Sequence, residues 1–239
     1  MNVIKRTALF VLAVLPLAAR PAGAQEIASH IRYVEQTQRL GAFAGWVFTN
    51  PDLMLNDTTT VALGPRSAPI FGLRYEVRAS GPLSVAASVG FIPSKRKVFL
   101  AEAVTDSAEI RAIDTGREAN VGIVLLEGGV TFHLTGPRTY RNLAPFVGAR
   151  VGYARQISGR DSAESTVPAA ERYRFGPAFA VGATAGTDFF LARSLSVRLE
   201  LNGRLWRETA PAGFRATGQS KVSEWNNASS AQLGAALHF

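Results

Sequence analysis

Read in steps of two, the chain from Leu40 onward sorts repeatedly into an apolar face and a small or polar face. The last stretch, Ala228–Phe239, shows this most cleanly. Ala231, Leu233, Ala235, Leu237 and Phe239 are apolar, while Ser230, Gln232, Gly234, Ala236 and His238 are small or polar. A period of two predicts a strand with one greasy and one wet face. Seven earlier stretches are read as strands too: Leu40–Phe48, Pro69–Ala79, Leu83–Ile92, Val121–Leu134, Leu143–Gln156, Tyr173–Leu191 and Leu195–Arg207. The first does not separate its faces, so its orientation stays open. The others predict that Leu73, Val85, Leu126, Val181, Val197, Leu199 and Leu233 share the apolar side of one sheet.

The connections alternate in length. Segments 49–68, 93–120, 157–172 and 208–227 are long and polar. Ser80-Gly81-Pro82, Thr135–Asn142 and Ala192-Arg193-Ser194 are short, with turn residues in the first two. Within the second long segment, Lys97–Val104 is placed to extend the strands. Eight strands joined in this way predict an all-β, antiparallel up-and-down barrel with long loops at one end.

The charges decide what kind of barrel. Arg74, Glu76, Arg78, Glu127, Arg150, Asp188, Arg198, Glu200 and Arg204 all fall on the wet face. The apolar face of strands two to eight carries no Asp, Glu, Lys or Arg across its centre. A soluble barrel points its charges out to water, whereas a transmembrane barrel turns them inward. An Arg or Lys facing lipid at mid-depth costs roughly 2–4 kcal/mol, which accounts for the bare apolar face. Aromatics gather at its ends: Phe71, Phe91, Tyr153 and Phe175 toward the long loops, Phe132, Phe189 and Phe239 toward the short turns. Such belts mark membrane interfaces.

Residues 1–24 read as a secretory signal peptide. Lys5 and Arg6 are its basic start, Thr7–Ala19 its short apolar run, and Ala22-Gly23-Ala24 its cleavage site. Residues 25–39 read as a periplasmic lead-in, helical or irregular, and 40–239 as the barrel. Removing Lys5, Arg6 and Arg20 lowers the net charge from +8 to +5, a mild excess that calls for no nucleic-acid partner. No cysteine is present, which excludes disulfides and thiolate metal sites. No later run of eighteen apolar residues exists, so only a closed barrel could cross a bilayer.

A terminal strand closing on Phe239, with Leu237 and Ala235 in phase, resembles the last strand of Gram-negative outer-membrane β-barrels. The whole pattern from Leu40 resembles the small eight-stranded kind, of the OmpA transmembrane domain and OmpX type. The resemblance implies a bacterial outer-membrane location, a monomer, contact with outer-membrane lipid and lipopolysaccharide, and recognition by the barrel-assembly machinery. The loops show no metal-ligand spacing and no phosphate-cradling Gly motif, so no cofactor and no metal is expected.

Eight strands enclose an interior that side chains just fill, so the inward charges are expected to pair into a lumen network. A symmetric turn over Thr135–Asn142 would set Glu127 directly opposite Arg150. The function expected is a structural or surface-interaction barrel with long extracellular loops. The alternatives are a narrow small-solute channel and a lipid A-modifying deacylase or acyltransferase. For the enzyme, His133 with Thr135 offers only a faint His-x-Ser likeness, and no catalytic residue is assigned.

Overall fold

A computed structural model describes residues 30–55, 60–103, 110–215 and 223–239. The expected signal peptide and the first residues of the lead-in lie outside the described residues. Eight long strands make a closed ring: β1 (Gln38–Thr49), β2 (Ala68–Ser80), β3 (Leu83–Ala103), β4 (Ile110–His133), β5 (Leu143–Gln156), β6 (Ala178–Phe190), β7 (Leu195–Thr209) and β8 (Ser223–His238). Each pairs antiparallel with the next, and β8 closes onto β1 from Ala228↔Thr49 to His238↔Arg39.

Strand parity is that of a membrane barrel. Leu73, Val85, Leu126, Leu199 and Leu233 point out and are exposed, while Val181 and Val197 point out half-covered by larger neighbours. β1 resolves its open orientation by turning Leu40, Ala42, Ala44, Trp46 and Phe48 outward. Phe71, Phe91 and Tyr153 form one exposed belt, and Phe132, Phe189 and Phe239 the other. Between the belts no charged side chain faces out. Among the described residues no helix is long and apolar enough to cross a membrane, so the strands do the crossing.

Several boundaries differ from the sequence reading. β6 begins at Ala178, not Tyr173, and Phe175 is buried inside the barrel rather than in the outer belt. Tyr173 and Phe175 pack inward because apolar side chains from other elements await them there. β3 and β4 pair far past the membrane, to Ala103↔Ile110, with a register shift between Lys97 and Phe99. Roughly ten residues per strand suffice to cross a bilayer, so about half of this hairpin stands above it. The first long loop contains a small hairpin, Leu53–Met54 with Thr60–Val61.

The lead-in is partly strand. Ile31–Tyr33 pairs with Arg138–Tyr140, a short strand inside the connection expected to be a simple turn. Arg141 and Asn142, at φ of 51° and 64°, make the tight two-residue link from that strand to β5. The β4–β5 register follows from this geometry. Glu127 lies opposite Gly152, and Arg150 opposite Gly129, so the expected direct opposition is wrong by two residues. A two-residue slip keeps both side chains on the same face.

Leu199 sits near the middle of the outward girdle. Leu199→Arg should lower stability against urea by about 2–4 kcal/mol in lipid-reconstituted protein. A loss well under that would mean the position is not at mid-depth.

Candidate functional site: a charged lattice beneath an apolar cap

The inward positions of the strands divide by height. Toward the short turns and the centre they are largely charged, with Ala144, Phe146 and Phe190 among them; toward the long loops they are largely apolar. Both halves come from the same alternation, since inward residues of one strand change from Arg74 to Ile70, or from Glu127 to Leu125, within one or two steps.

The charged half is a lattice in which each carboxylate serves more than one arginine. Glu200 accepts Arg74 through both oxygens, at 2.6 and 2.8 Å, and Arg150 at 2.9 Å. Glu127 accepts Arg204 at 2.6 and 3.1 Å, with Arg150 diagonal to it at 3.8 Å. Asp188 takes Arg198 bidentately at 2.7 and 2.8 Å and Arg39 at 2.6 Å. Glu76 pairs with Arg39, with Arg198 at 3.3 Å and with His133 Nε2 at 3.3 Å. Arg198 reaches Glu200 at 3.5 Å and so links the two groups. Bidentate forks of this kind fix both distance and orientation.

Of the nine charged residues proposed from the sequence, eight meet in this lattice. Arg78 does not: it donates to the Val34 carbonyl at 2.6 Å and holds the lead-in across the periplasmic mouth. Arg39 takes the fifth arginine position instead. The sequence reading ends the lead-in at Arg39, although its number is in phase with Gly41, Phe43 and Gly45, which face inward on β1. Neutral side chains complete the lattice: Arg204 donates to Ser230 at 2.8 Å, and Arg198 lies 4.0 Å over the Phe146 ring. Glycines make space for these long side chains, because a Cβ at Gly129 or Gly152 would strike the neighbouring strand's backbone carbonyl. Two cavities adjoin the lattice, each of about 30 Å³. Each has room for about one or two waters.

The apolar half was not anticipated. Ile70, Ile92, Ile123, Leu125 and Trp206 project from the strands to meet Leu53, Leu55, Leu63, Tyr173, Phe175 and Phe214 from the loops. Phe175 and Trp206 stack edge to face at 5.0 Å. Apolar residues at inward positions near the long loops were the available signal. A second layer anchors the cap: Asp161 accepts from Asn120 and Ala163, and Arg96 pairs with Glu164 in buried surroundings. The backbone N–H bonds hold the Asp161 carboxyl down to about 2.

One acid lies within the cap. Glu208 accepts from the Tyr173 hydroxyl at 2.8 Å, above the outer belt, and burial pushes its carboxyl up to about 7. Burial, reinforced by Glu208, likewise raises the Tyr173 phenol.

Neither His133 nor His238 faces lipid. His133 is held by Glu76, and His238 Nε2 lies 2.7 Å from the fully buried Ser196 hydroxyl. Among the described residues no cluster of three His, Asp or Glu side chains is arranged to hold a metal ion.

Glu200→Ala should lower stability by about 3–5 kcal/mol in urea, because it leaves Arg74 and Arg150 buried without their carboxylate. Replacing Arg74, Glu200 and Arg150 together by Met, Leu and Met should cost less than Glu200→Ala alone. Glu208 gives a pH dependence. Its proton is held more tightly folded than unfolded, so its contribution to the cap is complete below the ordinary carboxylate range and is lost as pH rises through about 7. Amide exchange at Tyr173–Phe175 and Ala212–Phe214 should therefore quicken between pH 6 and 8 beyond the intrinsic chemical rate. Glu208→Gln should remove that excess.

No family model matches the chain, and no curated protein matches it. Solved structures do. Neisserial surface protein A superposes with a TM-score of 0.51 at 10% identity, over 84% of this chain and 97% of that one. The outer-membrane protein OprG from Pseudomonas aeruginosa gives 0.47 at 12% identity, over 85% and 97%. The N-terminal β-barrel domain of Pseudomonas aeruginosa OprF gives 0.43 at 11% identity, over 85% and 98%. The closed eight-strand ring, its uncharged apolar girdle and the first of these likenesses assign the chain the fold of the small bacterial outer-membrane β-barrels.

Proposed function

We propose that this protein is a closed structural and surface-interaction barrel, which holds a folded cap above the outer leaflet and conducts nothing. The observation that carries this reading is the double obstruction of the lumen. The ionic lattice fills its lower half and the apolar core fills its upper half, and the cavities against the lattice are only about 30 Å³ each. Moving a hydrated ion through would require breaking bidentate arginine pairs in a low-dielectric interior. The periplasmic mouth carries a further strap, with Ile31–Tyr33 paired to Arg138–Tyr140 and Val34 bonded to Pro137.

The cap is the part offered to the outside. Its loops are braced by side chain–backbone bonds, such as Glu171 to the Ala101 amide, so it presents a shaped surface. The outward Ala235, Leu237 and Phe239 supply the signal for the barrel-assembly machinery, and the protein acts as a monomer in contact with outer-membrane lipid. The buried Ser196–His238 pair serves packing in this reading, because no lipid-facing opening reaches it.

Purified protein in planar bilayers should show no steps of ion conductance above the empty membrane. Glu200→Ala together with Arg74→Ala should introduce leak currents by clearing the lattice. Wild-type steps of stable size would replace this reading with that of a narrow channel.

A further inference from the structure

The outward face of β5–β8 is not uniform. At one level Ala149, Ala183, Gly203 and Ser229 are direct cross-strand neighbours, and all four face lipid. Larger exposed side chains bound much of this row, with the small Ala185 and Ala231 below it on β6 and β8. Val130 and Phe48 pair with its two ends. Val151 and Leu205 stand above it and Val147 and Leu201 below. The result is a shallow, open basin of about 590 Å³ in the barrel wall.

Gly203 is the notable floor residue. Two glycines of the neighbouring strand have an internal reason: a Cβ at Gly182 or Gly186 would meet the backbone of β7. A Cβ at Gly203 would meet nothing within 4 Å. A glycine in mid-strand costs stability, and on this face it leaves room for a close approach from outside.

Above the basin the chemistry changes from apolar to cationic. Tyr153, Phe179 and Trp225 form the outer belt here, with Phe179 and Trp225 edge to face at 6.4 Å. Arg207 pairs across the strands with Trp225. Arg155 lies two residues beyond Tyr153. Arg174 lies beside the end of β5, where Gln156 bonds the Phe175 carbonyl. All three arginines are exposed, and none has an ion pair or side-chain hydrogen bond among the described residues. The outward face of β5–β8 carries no acidic residue to balance them. The opposite rim differs, for Lys95, Lys97 and Arg66 there are paired with Glu118 or Asp114. Gly203 lies four residues from Arg207, roughly 13 Å along the strand and about 10 Å in depth for a tilted strand.

We infer that this face of β5–β8 is a binding site for one phosphorylated, acylated glycolipid of the outer leaflet, of the lipid A kind. An acyl chain lies in the basin, the aromatic belt meets the sugar, and the three arginines take the phosphates. The inference rests on the membrane placement proposed above and adds a specific ligand to it. Three unbalanced cations select a multiply anionic headgroup over a zwitterionic phospholipid, and a basin at acyl depth selects a lipid over a free phosphate.

The test is native mass spectrometry and equilibrium binding on the intact barrel in detergent. The probes are bisphosphorylated lipid A, its monophosphorylated form and phosphatidylethanolamine. Wild type should retain one bisphosphorylated lipid A and prefer it over the other two. Arg155→Gln, Arg174→Gln and Arg207→Gln combined should weaken it on the order of a hundredfold, from about fivefold per arginine at an anionic lipid surface. Gly203→Phe should weaken all acylated probes, since Phe can enter the basin without touching the fold. Unboiled-gel mobility must match wild type for both variants, and a further filling variant, Ala183→Leu, repeats the test if Gly203→Phe fails to fold. Equal binding of phosphatidylethanolamine, or variants that bind like wild type, overturns the site. So does a wild-type dimer that Gly203→Phe abolishes, because the basin would then seat a second copy. A failed lipid test with a non-conducting barrel removes the site alone; a conducting barrel removes the closed-barrel reading alone.

Discussion

A peptide group in hydrocarbon has no water to bond, and this single constraint governs the molecule. Every N–H and C=O within the bilayer must find a partner in the chain, so the sheet must close on itself. Closure of β8 onto β1 then fixes the number of strands, and that number fixes the bore. Side chains of ordinary size fill such a bore, which is why inward arginines and carboxylates touch one another across the barrel instead of lining a channel. The outward face, released from any duty of pairing, is left with solubility in lipid as its requirement.

Two different solutions fill the same bore. Charges occupy the half nearer the short turns, where Arg39, Glu76 and Asp188 lie close to the periplasmic mouth. Apolar side chains occupy the half beneath the long loops, where the loops fold back to give Ile70, Leu125 and Trp206 partners. The upper half resembles the core of a small soluble domain, built from strand ends and loops together. Glu208 and Tyr173 are a polar pair inside it, the Tyr173 hydroxyl donating to one oxygen of the carboxylate.

The strand order, the two faces and the loop alternation were legible in the sequence because lipid enforces a strict period of two. The inward charges were legible for the same reason. What was not legible lay where lipid exerts no such control. Arg39 was missed because β1 is poor in charge and its small residues hide the parity. The burial of Phe175 was missed because an aromatic next to an alternating run looks like belt, and only the folded loops reveal that it faces Trp206. The β4–β5 register was misjudged by two because Arg138–Tyr140 forms a strand of its own with Ile31–Tyr33, a pairing between segments a hundred residues apart in the chain. The apolar cap was written in plain sight at Ile92 and Ile123, but inward positions had been read as one uniform polar set.

The sharing of carboxylates in the lattice has an evolutionary consequence. Glu200 cannot change without taking the nearest carboxylate from both Arg74 and Arg150, and Asp188 holds both Arg39 and Arg198. Inward substitutions are therefore epistatic: an acceptable change at one position depends on what already stands at two others, on different strands. Outward positions carry no such dependence, and any apolar side chain serves. A lineage of such barrels would drift freely on its outside and move in rare, concerted jumps on its inside. Chains with the same ring of strands could then come to share almost no sequence.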